Sequence, residues 1–136
     1  MMTGRVGFGI ACVTMVLLQS VAANATDLNG AWANDSSVCD KIFQKKKNVI
    51  SIKRDSDLYG SGFIVDGNQL RGKVAKCTIK SRKEEGQLVN LIAVCSTDIA
   101  LSTVQFSLQV DGENKVTRVF PGLPEMSVSY VRCSGI

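Results

Sequence analysis

Between residues 104 and 110 the chain alternates without a break. Val104, Phe106, Leu108 and Val110 are apolar, and Gln105, Ser107 and Gln109 between them are polar. A period of two predicts a β-strand with one wet face. Leu88 to Thr97 is apolar on both parities, with Leu88, Ile92 and Val94 on one and Val89, Leu91 and Ala93 on the other. That pattern predicts a central or well-covered strand. Val49 to Ile52, Leu58 to Val65, Leu70 to Ile79, Lys115 to Phe120 and Ser127 to Cys133 read as further strands.

The turns between them carry their own signals. Asp66-Gly67 and Asp111-Gly112 are hairpin dipeptides, because glycine accepts the positive φ that such turns need. Lys83-Glu84-Glu85-Gly86 reads as a polar turn, and Pro121 to Pro124 as a tight break. Within 70–79 the basic positions Arg71 and Lys73 change parity to Lys76 and Lys80, so a β-bulge is expected near Ala75. One stretch reads as helix. Asp35-Ser36 caps it, Val38, Ile42 and Phe43 form its apolar side, and Lys45-Lys46-Lys47 sits at its C-terminal end, where cations suit the helix dipole.

Seven or eight short antiparallel strands with one short N-terminal helix define an all-β chain, closed as a small barrel or packed as a sandwich. The barrel is the expected form. The chain has 136 residues, and residues 1–25 read as a secretory signal peptide. Arg5 is the basic start, Val6 to Leu18 is an uncharged apolar run, and Ala23-Asn24-Ala25 is a small-x-small cleavage pattern. Residues 26–136 then form a single β-barrel domain with no transmembrane span, exported to the periplasm or secreted.

That remaining chain holds Cys39, Cys77, Cys95 and Cys133, an even number that predicts two disulfides in an oxidising compartment. Three pairings are open. Cys77 and Cys95 lie symmetrically about the Glu85-Gly86 turn, which favours a bond across one hairpin and leaves Cys39 for Cys133.

The chemistry available is narrow. With no histidine there is no Ser-His or Cys-His pair and no HExxH metal site. Ser61 is outside any G-x-S-x-G elbow, no glycine-rich phosphate loop precedes a helix, and no calcium loop occurs. The expectation is a protein that is not an enzyme and uses no cofactor or metal.

Charge adds a candidate surface. Residues 41–83 carry 12 basic side chains against three acidic ones, whereas 84–136 carry three basic and six acidic. Lys45, Lys46, Lys47, Arg71, Lys73, Lys76 and Lys80 are therefore candidate anion-binding residues, expected to project together and to meet anionic lipid, lipopolysaccharide or polysaccharide. Lysines on exposed strands also simply discourage edge pairing. Nucleic acid is not expected, because aromatic residues are not interleaved with the basic ones.

Asp27-Leu28-Asn29-Gly30-Ala31-Trp32 opens the exported chain with a G-x-W pattern. It resembles the first strand of lipocalins, the exported β-barrels of the calycin type. The small periplasmic inhibitors of secreted metalloproteases also look similar, with Leu28, Gly30, Trp32 and Cys39 in the matching places. The overall pattern resembles small exported proteins of Gram-negative bacteria. The resemblance implies that Gly30, Trp32 and Arg132 are structural, with the Arg132 cation covering the Trp32 ring at a closed barrel end. A small exported barrel without catalytic groups is expected to be a non-catalytic binding module, for an anionic envelope component or a small amphipathic ligand. The alternative, which the N-terminal resemblance implies, is an inhibitor acting on a protein target, a secreted or host enzyme.

Overall fold

The computed structural model describes residues 25–136, together with Gly4 and Gly7. The signal peptide expected over 1–25 lies almost wholly outside the described residues. Ten strands occur: β1 (Gly30–Ala33), β2 (Phe43–Lys46), β3 (Val49–Ile52), β4 (Gly62–Asp66), β5 (Gln69–Arg71), β6 (Lys76–Glu85), β7 (Leu88–Ser96), β8 (Leu101–Val110), β9 (Lys115–Val119) and β10 (Val128–Arg132). Eight of them close an antiparallel barrel in the order β1-β10-β9-β8-β7-β6-β5-β4, and β2 with β3 forms a separate hairpin. One short α-helix, α1 (Cys39–Ile42), precedes that hairpin.

Closure depends on β1, which pairs with β4 from Gly30↔Val65 to Ala33↔Gly62 and with β10 through Trp32↔Arg132. Its alternation separates two cores. Trp32 points inward with Val65, Leu70, Cys77, Val89, Leu91, Ala93, Cys95, Leu108, Val110 and Val116. Ala31 and Ala33 point outward, against Ile42, Phe43 and Ile64, with Ile50 and Ile52 beside them. The second cluster fastens α1 and the β2–β3 hairpin to the outside of the barrel. Gly62 lets this layer come close, since a Cβ there would lie 2.7 Å from both the Phe43 ring and the Trp32 carbonyl oxygen.

Both disulfides follow from register and chain path. Cys77 and Cys95 are direct partners in the β6–β7 ladder and are bonded to each other. Cys39 bonds Cys133, tying α1 to the residue after β10 across 94 positions of sequence. The Asp66-Gly67 and Asp111-Gly112 turns lie at the expected hairpins, and Gly67 and Gly112 both have positive φ.

Five local expectations are corrected. The helix ends at Ile42, and Lys45 and Lys46 belong to strand β2. Lys47 and Asn48 both take positive φ, which makes a tight hairpin turn where a helix end was expected. The strand expected over 58–65 begins only at Gly62, because Ser56–Leu58 forms a 3-10 turn. The parity slip near Ala75 is a chain reversal: Gly72 N–H donates to the Ala75 carbonyl at 2.9 Å, between β5 and β6. The bulge lies further on, between Ile79 and Ser81, and Lys83–Glu85 remain in strand β6. Strand β7 is covered on one face only, since Ile92 on its outer parity is exposed.

Candidate functional site

The two ends of the barrel differ. At the end where β1 begins and β10 finishes, the guanidinium of Arg132 lies 4.3 Å from the centre of the Trp32 ring. It donates to the carbonyls of Asn29, of Asp27 at 2.8 Å and of Glu113 at 3.0 Å. The indole N–H of Trp32 donates to the Leu28 carbonyl at 2.9 Å, so the buried ring leaves no polar atom unpaired. Gly30, at φ 130°, keeps the chain close to Arg132, as a Cβ there would lie 3.1 Å from Nη1. The three residues expected to be structural, Gly30, Trp32 and Arg132, thus form one assembly that closes this end. A broad depression of about 710 Å³ outside it is lined by polar turn residues, among them Gln87, Glu113 and Asn114.

The opposite end is open. A cavity of about 410 Å³ enters the barrel there, lined by Phe63, Leu70, the Cys77–Cys95 disulfide, Val104, Phe106, Leu108 and Tyr130. Gly72, Ala75, Thr97, Ser102 and Arg118 also line it, from the strand ends and turns at the mouth. The side chains that alternate inward from β8, Val104 and Phe106, are the ones left half-buried, whereas Leu108 and Val110 are buried toward the closed end. An aromatic column runs through the boundary. Phe63 stacks on Trp32 with centroids 6.3 Å apart, and Tyr130 meets Phe63 edge-on at 5.0 Å.

Arg118 is the charged member of this lining. In β9 it is the register partner of Leu108 on one side and Val128 on the other. Its guanidinium lies 4.7 Å from the Phe106 ring and 4.7 Å from the Phe120 ring. Sequence reasoning did not single it out. The signal was present in the alternation Val116, Arg118, Phe120, which puts a cation on the dry parity of its strand.

Exposed apolar side chains gather around the mouth. Val74 lies in the β5–β6 turn, Ile99 and Leu101 at the β7–β8 turn, and Leu123 and Met126 in the β9–β10 connection; all are exposed, Ile99 at 95%. These three connections all leave the barrel at the cavity end.

The basic residues are only partly brought together. Arg71 and Lys76 are register partners, and Arg71 donates to the Ile50 carbonyl at 3.4 Å, beside the hairpin position paired with Lys45. Lys45, Lys46, Lys47, Lys76 and Lys80 are exposed. Lys73 is committed elsewhere, in an ion pair with Asp57 that holds this carboxyl below its ordinary range. Asp35 is lowered likewise, by the backbone N–H of Ser37 and then its hydroxyl. Glu84 is lowered chiefly by Arg82, with help from the backbone N–H of Thr26. These carboxylates hold turns and strand ends in place. Among the described residues no group of three or more Cys, Asp or Glu side chains is arranged to hold a metal ion. No protein-family model matches the chain, and no curated protein or solved structure is significantly similar to it.

Proposed function

We propose that this protein is an exported, non-catalytic binding module that takes a small amphipathic ligand into the open end of its barrel. The observation that carries the reading is the cavity of about 410 Å³, apolar within and with a few polar side chains, Thr97, Ser102 and Arg118, at its mouth. That volume and that distribution of polarity are those of small-molecule sites, where apolar walls supply affinity and a few polar groups fix orientation. Burial of apolar ligand surface contributes roughly 25 cal/mol per Å² before the costs of immobilisation, so a short alkyl chain suffices for measurable binding.

The G-x-W opening supports the same reading. Its likeness to lipocalins brings the expectation of a barrel closed at the Trp32 end and receptive at the other. The two disulfides, which use all four cysteines of residues 26–136, suit an oxidising compartment, in keeping with export.

Displacement of an environment-sensitive apolar dye tests the proposal. Dye fluorescence should rise on addition of the wild-type protein and fall again with a short-chain alcohol as competitor. Ser102 is on the inward parity at the mouth, opposite Cys95, so Ser102→Trp should block the dye while leaving the closed end intact. Equal dye binding by wild type and S102W would show that the cavity is not the site.

A further inference from the structure

Arg118 occupies an unusual place for a cation. Its neighbours on the same parity are Val116, which is fully buried in β9, and Phe120, the residue after that strand. Its register partner Leu108 is buried as well. A guanidinium drawn from water into such a lining loses hydration, and proteins ordinarily restore the balance with a carboxylate. Here the ion pairs of the described residues are Lys73–Asp57, Arg82–Glu84 and Lys83–Glu85, and Arg118 belongs to none of them. Arg132, the register partner of the inward-pointing Trp32, donates to three backbone carbonyls. Arg118 has no such bonds among the described residues; its close contacts are the Phe106 and Phe120 rings.

Those ring contacts leave a specific capacity. Aromatic rings attract a guanidinium through its flat face, whereas its N–H donors lie in its plane and pair with acceptors at its edge. The rings therefore hold Arg118 in position without using its donors. A planar fork fixed at the mouth of an apolar cavity matches a carboxylate, which accepts two parallel N–H bonds from it.

Resting on the cavity as the binding site, we propose that Arg118 anchors the head group of the ligand and that the ligand is an alkyl carboxylate. The head group pairs with Arg118 at the mouth, and the chain runs inward against Phe106, Phe63 and the Cys77–Cys95 disulfide. A cavity of about 410 Å³ lies toward the small end of small-molecule sites, so the ligand it takes is a medium-chain one. Decanoate is a probe of that size, and 1-decanol is its neutral counterpart.

Titration calorimetry of wild type, Arg118→Met and Arg118→Lys with both probes, below their aggregation concentrations, decides the matter. Wild type should bind decanoate at least tenfold more tightly than decanol. R118M should remove that preference by weakening decanoate far more than decanol, and unchanged amide NMR positions for Phe63, Leu70 and Cys77 would show that the cavity is intact. R118K, which keeps the charge and loses the fork, should fall between them. Equal affinities of wild type for the two probes, or an R118M preference as large as that of wild type, would overturn the anchor while leaving the cavity reading in place. Binding of neither probe to wild type would overturn the cavity reading and the anchor with it.

Discussion

Arg132 is stacked 4.3 Å from the centre of the Trp32 ring and is also the direct register partner of Trp32 across the β1–β10 ladder. One contact therefore joins the first strand of the barrel to the last and seals one end of its interior. A cation–π contact contributes ~0.5–2 kcal/mol, and a buried tryptophan contributes more through the area it removes from water.

The first prediction concerns this seal. Trp32→Ala should destabilise the protein by ~3–5 kcal/mol, the usual cost of emptying a large buried aromatic site. Arg132→Lys keeps the charge but cannot reach all three carbonyls, and should cost ~1–3 kcal/mol by urea unfolding. A destabilisation of W32A below ~1 kcal/mol would show that the ring does not plug the barrel.

The two disulfides should separate in their effects. In the chain-entropy account, Cys39–Cys133, spanning 94 positions, contributes ~4–5 kcal/mol, and Cys77–Cys95, spanning 18, contributes ~3 kcal/mol. The longer-range bond lies on the outer layer, so its double serine variant should lose stability without losing ligand. The Cys77–Cys95 bond lines the cavity, and its serine variant should lose affinity as well. Equal loss of affinity in both variants would contradict this division.

Acid sensitivity follows from the depressed carboxyls Asp35, Asp57 and Glu84. Each holds its proton less readily in the folded chain than in the unfolded one. Its contribution is complete above the unfolded value, near pH 4, and is lost as pH falls through the lower folded value. Lys83 is raised by Glu85, so its contribution is complete below ~10 and is lost as pH rises beyond that. With no histidine in the chain, thermal midpoints should be flat from about pH 5 to 7 and decline gently below about pH 4. A transition centred near pH 6 would contradict the assignment.

The outer cations give a separate expectation. Lys45, Lys46 and Lys76 are exposed around Arg71, whereas Lys73 is already paired with Asp57. Reversing the first three to glutamate should weaken retention on phosphatidylglycerol vesicles at low salt, with little change in stability. Wild-type retention should fall as salt rises, because exposed charges are screened over ~10 Å at 0.1 M. Lys73→Ala should have little effect. No wild-type retention at low salt would remove the anionic surface as a recognition face.

Much of this fold was legible in alternation and turn dipeptides. Val104 to Val110 announced strand β8, and Asp66-Gly67 and Asp111-Gly112 fixed two hairpins, because both signals are local. The β2–β3 hairpin was hidden because Lys47 and Asn48 supply its positive-φ turn without glycine, within a lysine run equally suited to a helix end. The Gly72–Ala75 reversal was hidden by the basic residues on either side, which made two short strands look like one with a bulge. The closed end was suggested by a resemblance, carried by Gly30 and Trp32 at the first strand and Arg132 in the last. The open end was not, since emptiness inside a barrel depends on how eight strands taper and no single segment encodes it. Arg118 was legible only as an anomaly of parity, and its meaning needed the Phe106 and Phe120 rings beside it.

The most direct test of the central claim is residue-by-residue mapping of ligand contact by amide NMR during titration of the ¹⁵N-labelled protein with decanoate. The cavity account predicts saturable shifts at Phe63, Cys77, Cys95, Val104, Phe106 and Arg118, with Gln87, Glu113 and Asn114 at the closed end unmoved. Shifts confined to the closed end, or spread over the outer lysines without the cavity residues, would contradict it.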